Sequence, residues 1–168
     1  WVVLVTKRGL LDANTRWSQG GLAAVIDEQD SFEAHIQDTL TAGAGLCRRD
    51  AVELIVEGGP EVVRRLVEPG VNFGKRSASP SEDRSPYDLT REGGHSHRRV
   101  LHAGDVTGAE LMRAMVDSVR SADSIEVFEN HCAVDLITVR KVQGRTDIDA
   151  SIPNRCLGAY VLDVDGGQ

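Results

Sequence analysis

An α/β layered domain is the architecture this chain encodes, and three observations carry that reading. A β-branched run opens it at Trp1-Val2-Val3-Leu4-Val5, helical apolar spacing follows D-x-x-E and T-x-x-E signatures in the middle, and three β-rich runs lie near the end. A helical bundle would lack the strands, and a sandwich would lack the helices.

Taken in order, residues 1–6 have the continuous apolar character of a strand buried on both faces in a parallel sheet. A polar loop follows, holding Lys7, Arg8 and the run Asn14-Thr15-Arg16-Trp17-Ser18-Gln19-Gly20-Gly21-Leu22-Ala23-Ala24. Asp30-Ser31-Phe32-Glu33 has the form of a capping box; Phe32, Ile36, Thr39 and Leu40 then recur at helical spacing until Gly43 and Gly45. Asp50 to Glu53 opens a second helix with Val52, Ile55 and Val56 on one face, which Gly58-Gly59 is expected to break. Pro60 suits the first turn of another helix through Leu66, where its missing N–H would be unpaired anyway.

Residues 75–88, rich in Ser, Pro and charge, read as a mobile surface loop and the one linker-like stretch. Thr107 to Glu110 is a T-x-x-E box ahead of Leu111, Met112, Met115, Val116 and Val119 on one helical face; the methionines read as core filler. Strands are expected at Ile125–Phe128, Ala133–Val139 and Leu157–Val164, the last as the first arm of a hairpin through Asp165-Gly166-Gly167. That unfinished arm, and an opening strand without an initiator Met, give both ends the look of a cut, with the first half of a βαβ unit outside the chain.

At 168 residues, 40% hydrophobic and 27% charged, the chain falls in the range of one globular domain. A net charge of -7 and a pI near 5.2 argue against a nucleic-acid or anionic-membrane surface, and no run approaches the roughly 18 apolar residues of a membrane span. Cys47, Cys132 and Cys156 are odd in number and lack C-x-x-C spacing, so neither a disulfide framework nor a zinc site is indicated. Cys132 and Cys156 read as small buried apolar residues. A reducing cytoplasm is the default, with no signal peptide, transit segment or lipidation motif in these residues.

Adjacent glycines ahead of a small, helix-prone stretch let a backbone approach a flat or anionic cofactor closely. The acid, histidine and arginine cluster Thr90-Arg91-Glu92-Gly93-Gly94-His95-Ser96-His97-Arg98-Arg99 suits a small charged substrate. Together they point to a redox enzyme. Loop statistics alone favour a blander role for Gln19-Gly20-Gly21, and a solvated polar loop is the competing reading of the histidines, the arginines and Glu92. A metal at His95-x-His97 with His102 is disfavoured, because two histidines two apart share one metal only on an extended strand.

Lys7 at a strand end, then Asn14-Thr15-x-x-Ser18-Gln19-Gly20-Gly21-Leu22-Ala23-Ala24, resembles the flavin-binding segment shared by L-aspartate oxidase and the flavoprotein subunits of succinate dehydrogenase and fumarate reductase. In that family the strand-end residue is also lysine, where the usual dinucleotide fingerprint has an acid. The covalent members carry histidine at the position of Asn14, and an amide cannot form that bond. The run from Tyr87 to His102 is similar to the L-aspartate oxidase branch, whereas dicarboxylate dehydrogenases have a non-acidic residue where Glu92 stands. Asp105-x-Thr107-Gly108 and Asn130-x-x-Ala133-Val134-Asp135-Leu136 extend the likeness over nearly the whole chain.

The resemblance implies a partial Rossmann-like FAD-binding domain, residues 1–168, with a helical insertion and truncation at both ends. The first strand, the phosphate turn, a capping domain and a C-terminal helical domain would lie elsewhere. It implies non-covalent FAD lined by Lys7, Asn14, Thr15, Arg16, Trp17, Ser18, Gln19, Gly20, Gly21, Ala133 and Val134, the last two against the adenine. It further implies oxidation of L-aspartate to iminoaspartate in de novo NAD synthesis, with Glu92 orienting the substrate ammonium. Oxygen or fumarate would reoxidise the flavin, and the product would pass to quinolinate synthase. The arginine acid/base of the family would lie beyond Gln168, so this segment alone would be inactive. Arg98 and Arg99 stand open between carboxylate clamps and packing. A fumarate reductase-like dicarboxylate oxidoreductase is the runner-up, and a non-catalytic α/β module the reading from another class.

Overall fold

The computed structural model describes residues 1–77, 85–142 and 153–167. The chain forms two compact units, one of Trp1–Asp12 with Val119–Gln168 and one of Ala13–Ser118.

In the first unit, β1 (Val2–Val5) pairs in parallel with β5 (Ile125–Phe128), from Val2 opposite Ile125 to Val5 opposite Phe128. The expected strand is present but not buried on both faces: Val2 and Val3 are 54% and 53% exposed, because a sheet of two strands covers little of either face. The backbone N–H of His131 donates to Thr6 O (2.9 Å), which ties β6 (His131–Thr138) to the carboxyl end of β1. After β6, a short α4 (Val139–Val142) leads toward β7 (Cys156–Asp163), which pairs antiparallel with β6. β7 is therefore the second arm of a hairpin with β6. Cys156 is exposed and Cys132 half-buried, contrary to the buried positions expected of them, since neither face of this hairpin is fully covered.

The second unit holds β2 (Leu22–Ala23), α1 (Phe32–Ala42), α2 (Arg49–Val67), β3 (Leu89–Thr90), β4 (Val100–Leu101) and most of α3 (Thr107–Arg120). Helix α1 begins where expected, but its cap is Ser31, whose Oγ accepts from Ala34 N (3.1 Å); Asp30 is engaged elsewhere. Gly58-Gly59 does not break α2, which continues through Pro60. Two glycines and a proline inside a helix cost about 5 kcal/mol together. Burying Val52, Val56 and Val63 along one face offsets this at about 1.5–3 kcal/mol each. Ile55, expected on that face, is 73% exposed.

Helix α3 starts at Thr107 itself, whose Oγ1 accepts from Ala103 N (2.9 Å), while Glu110 accepts from the Asn72 backbone and pairs with Arg113. Its buried residues are Thr107, Gly108, Ala114 and Val116; Met115 is exposed, which corrects its reading as core filler. The core gathers Ala24, Val63, Val71, Phe73, Leu89, Leu101 and Ala114, with Ile36, Val52 and Val56 forming a second cluster between α1 and α2. The expected loop at 75–88 is tied at its base, where Arg76 N donates to Pro86 O and Asp88 N to Gly74 O; residues 78–84 lie outside the described residues.

Candidate functional site

A single 3-10 turn covers Asn14–Trp17, closed by Arg16 N to Ala13 O and Ser18 N to Thr15 O, each 3.1 Å. It rests on the start of α3. Gly108 N donates to Ser18 O (3.0 Å), and a Cβ on Gly108 would overlap Thr15 O, so only glycine permits this approach. The loop backbone is thus held from inside while Asn14, Thr15, Arg16, Trp17, Ser18 and Gln19 line its outer edge; Trp17 is 75% exposed, with the Arg16 guanidinium 5.8 Å from its ring centroid.

The paired glycines divide their work. A Cβ on Gly21 would overlap Leu101 O and Val100 Cγ1, so this residue is glycine because β2 lies against β4. A Cβ on Gly20 would meet nothing within 4 Å, and the residue is open to solvent. Of the two, Gly20 is the one free to meet a ligand. In the other unit, Lys7 is exposed just past the carboxyl end of β1, the edge at which ligands bind in open α/β sheets. Ala133 and Val134 lie on β6, at a register shift between Ala133 and Asp135 that bulges the exposed Val134 outward from the ladder.

Glu92 sits in the connection between β3 and β4. The small sheet has the order β2-β4-β3, with Leu22 and Leu89 both opposite Leu101, and Ala23 and Thr90 both opposite Val100. Gly21 therefore enters one end of this sheet and Glu92 leaves the other. With strands of two residues, the two ends are on the order of 10 Å apart. Glu92 is exposed, and its carboxylate has no hydrogen-bond or ion-pair partner among the described residues.

The rest of that connection is anchored. Gly94 takes the left-handed conformation (φ 84°), and His95 N closes a turn onto Glu92 O (3.2 Å). Ser96 donates to Asp38 Oδ2 from both N and Oγ, each 2.7 Å. Arg99, fully buried, donates from Nε and Nη2 to the two oxygens of Asp30 (2.7 Å each) and from Nη1 to Asp38 (2.6 Å). Burial opposes the charge on both acids, but their hydrogen bonds outweigh it: Arg99 and the Ser31 N–H hold Asp30 below its ordinary value, and Ser96 with Arg99 brings Asp38 down to about 2. Arg99 is thus a packing residue. Arg98 donates to Leu89 O (3.1 Å) and lines a cleft of about 530 Å³ with Asp27, Arg76, Arg91 and His97. Arg76 and Arg91 have no carboxylate partner among the described residues, so this cleft suits a small anion.

His95 and His97 both border Arg99, at 3.3 and 3.5 Å, whereas His102 is placed apart beside Asp88. His97 Nδ1 meets Ser96 Oγ (2.9 Å), His95 Nδ1 faces Arg99 Nη1 (3.3 Å), and His102 Nε2 lies 3.9 Å from Asp88. Among the described residues no three His, Cys, Asp or Glu side chains gather to hold a metal. Sequence reasoning missed Asp38 and Arg76, whereas Arg91 lay in the charged cluster it singled out. The available signal for Asp38 was His35 three residues before it, two polar groups beside the apolar stripe of α1.

A family model described as an FAD binding domain matches residues 1–168. Among curated proteins, L-aspartate oxidase of Pseudomonas aeruginosa is 44% identical over 99% of this chain and 30% of its own length. L-aspartate oxidase of Streptomyces coelicolor is 48% identical over 86% of the chain and 23% of its own length. Among solved structures, the FrdA chain of E. coli quinol fumarate reductase matches with a TM-score of 0.75 at 25% identity, over 96% of this chain and 24% of that one. The Mycobacterium smegmatis Sdh1 complex matches at 0.72 and 26%, over 96% of this chain and 26% of that one. The chain spans under a third of these relatives.

Proposed function

Since the chain belongs to the FAD-binding domain family, we propose that it is part of an enzyme that oxidises L-aspartate to iminoaspartate with non-covalently held FAD. The residues present fit that cofactor on two observations. Gly20 offers an open backbone face beside the polar edge of Asn14 to Gln19, and Lys7 stands at the ligand-binding end of a parallel strand pair. Lys7, Asn14, Thr15, Arg16, Trp17, Ser18, Gln19, Gly20, Gly21, Ala133 and Val134 would hold it. The amide at Asn14 provides no ring nitrogen for a covalent link. The chemistry supplied by FAD when bound is acceptance of a hydride from the substrate α-carbon.

The observation that carries the choice of substrate is the Glu92 carboxylate, without a partner among the described residues, in a chain whose curated relatives at 42–48% identity are named L-aspartate oxidase. Aspartate brings an ammonium that succinate lacks, and a carboxylate about 4 Å from it contributes about 1–4 kcal/mol between the dielectrics of water and a protein surface. Glu92 orients that ammonium. Electrons leave to oxygen or fumarate, the product passes to quinolinate synthase, and the setting is the cytoplasm. The acceptor reading is supported by the structural likeness to a fumarate reductase. Among the described residues no helix is long and apolar enough to cross a membrane.

Replacing Glu92 with Gln in the intact protein tests the reading. Aspartate kcat/KM is expected to fall tenfold or more, roughly the lower half of that electrostatic range, with fumarate reduction kept. Unchanged aspartate kinetics would overturn it.

A further inference from the structure

We infer that Asp38, on α1, is the positioning residue for Glu92, fixing the connection that carries it; the inference rests on the ammonium-reading role proposed for Glu92. Glu92 has no side-chain partner among the described residues, so its location is set by the backbone of its own loop. That backbone is tied to the body of the unit through Ser96, whose N–H and hydroxyl both donate to Asp38 Oδ2. Between Glu92 and Ser96 the chain has little freedom to absorb a shift: His95 N closes onto Glu92 O, and Gly94, in the left-handed region, passes close to Ala42 at the end of α1.

Charge balance argues that this acid serves the loop. Arg99 is already met at two points by Asp30, and that pair is neutral by itself. Asp38 adds a second negative charge, and two of the three donors on its Oδ2 come from Ser96. A carboxylate surplus to the neutralisation of Arg99, spent mainly on one serine of the Glu92 connection, is placed to locate that connection. Position matters for a charge contact, since doubling the separation from about 4 to 8 Å halves the Coulomb attraction.

The test is a double-mutant cycle in the intact protein, with the ratio of aspartate-oxidation kcat/KM to fumarate-reduction kcat/KM as its readout. Asp38→Ala is expected to lower this ratio about tenfold when Glu92 is present and not to change it in the Glu92→Gln background, the signature of two residues acting as one unit. Asp38→Asn keeps an oxygen for Ser96 and is expected to give a smaller loss; it carries the test if the alanine variant does not fold. Equal loss of both activities, or the same fall in ratio with Gln at 92, would overturn the inference. A lowered ratio in Glu92→Gln with none in either Asp38 variant overturns this inference alone, whereas an unchanged ratio in Glu92→Gln overturns the reading of Glu92 and this with it.

Discussion

Arg99 and Asp30 form a two-point ion pair, Nε to Oδ2 and Nη2 to Oδ1 at 2.7 Å each, with side-chain exposures of 0% and 1%. The pair joins the residue just before the Ser31 cap of α1 to the residue just before β4. It therefore links helix to sheet at the point where the Glu92 connection returns to the fold. A planar guanidinium matches both carboxylate oxygens at once, which an ammonium cannot do.

Removing Arg99 would leave Asp30 buried without its partner. Breaking such a pair from one side costs about 3–5 kcal/mol, more than the pair itself contributes, because the surviving charge stays desolvated. Arg99→Met in the intact protein is expected to lower the thermal midpoint strongly and to reduce soluble yield. Arg99→Lys is expected to recover only part of the loss, and a full recovery measured by thermal unfolding would show that the two-point geometry is unimportant.

Two groups near this pair make stability fall on acidification in two successive windows. His35 is buried, and its pKa lies below the ordinary 6.5, first through burial and then through the charges of Arg99 and His95. It stays neutral in the fold while the unfolded chain takes up a proton, so stability is expected to fall as pH drops through 6.5 toward the lower folded value. His35→Leu should flatten that part of a curve of thermal midpoint against pH.

Asp38 acts in the same direction at lower pH. Burial raises its pKa, but the Ser96 and Arg99 hydrogen bonds outweigh this and bring it from 3.8 to about 2. Its contribution is present above 3.8 and lost as pH falls toward 2. Asp38→Asn is expected to remove that acid-limb slope and leave the limb near neutral pH unchanged, as read by equilibrium denaturation at each pH.

What was legible in the sequence was whatever is local or periodic. β5 runs over the expected Ile125–Phe128, α1 begins beside its capping signature, and the glycine and Glu92 motifs carried the family resemblance. The sheet of β2, β4 and β3 was not legible, because strands of two residues have no period to detect. The continuity of α2 through Gly58-Gly59-Pro60 was hidden for a different reason: tertiary burial of valines on both sides overrides the local breakers. The role of Arg99 depends on acids contributed by α1 and the residue ahead of its cap, which only the fold brings to it. Spacing within its own motif could not separate a substrate clamp from a buried strut.

The two glycines of Gln19-Gly20-Gly21 offer the sharpest separation of folding from binding. At Gly21 a methyl group would meet the Leu101 carbonyl and the Val100 side chain, and the carbonyl belongs to a strand that is itself paired on both sides. Backbone cannot yield as a flexible side chain can, so Gly21→Ala is expected to cost about 1–3 kcal/mol or more. Gly20→Ala meets nothing within 4 Å and is expected to leave the stability of the flavin-free protein within about 0.5 kcal/mol of its starting value. Its effect should appear only where a flat cofactor must approach the backbone. Flavin titration followed by fluorescence quenching is therefore expected to show weaker FAD binding in Gly20→Ala at unchanged apoprotein stability. Unaltered flavin affinity in that variant would remove Gly20 from the cofactor site, since no contact among the described residues accounts for a glycine there.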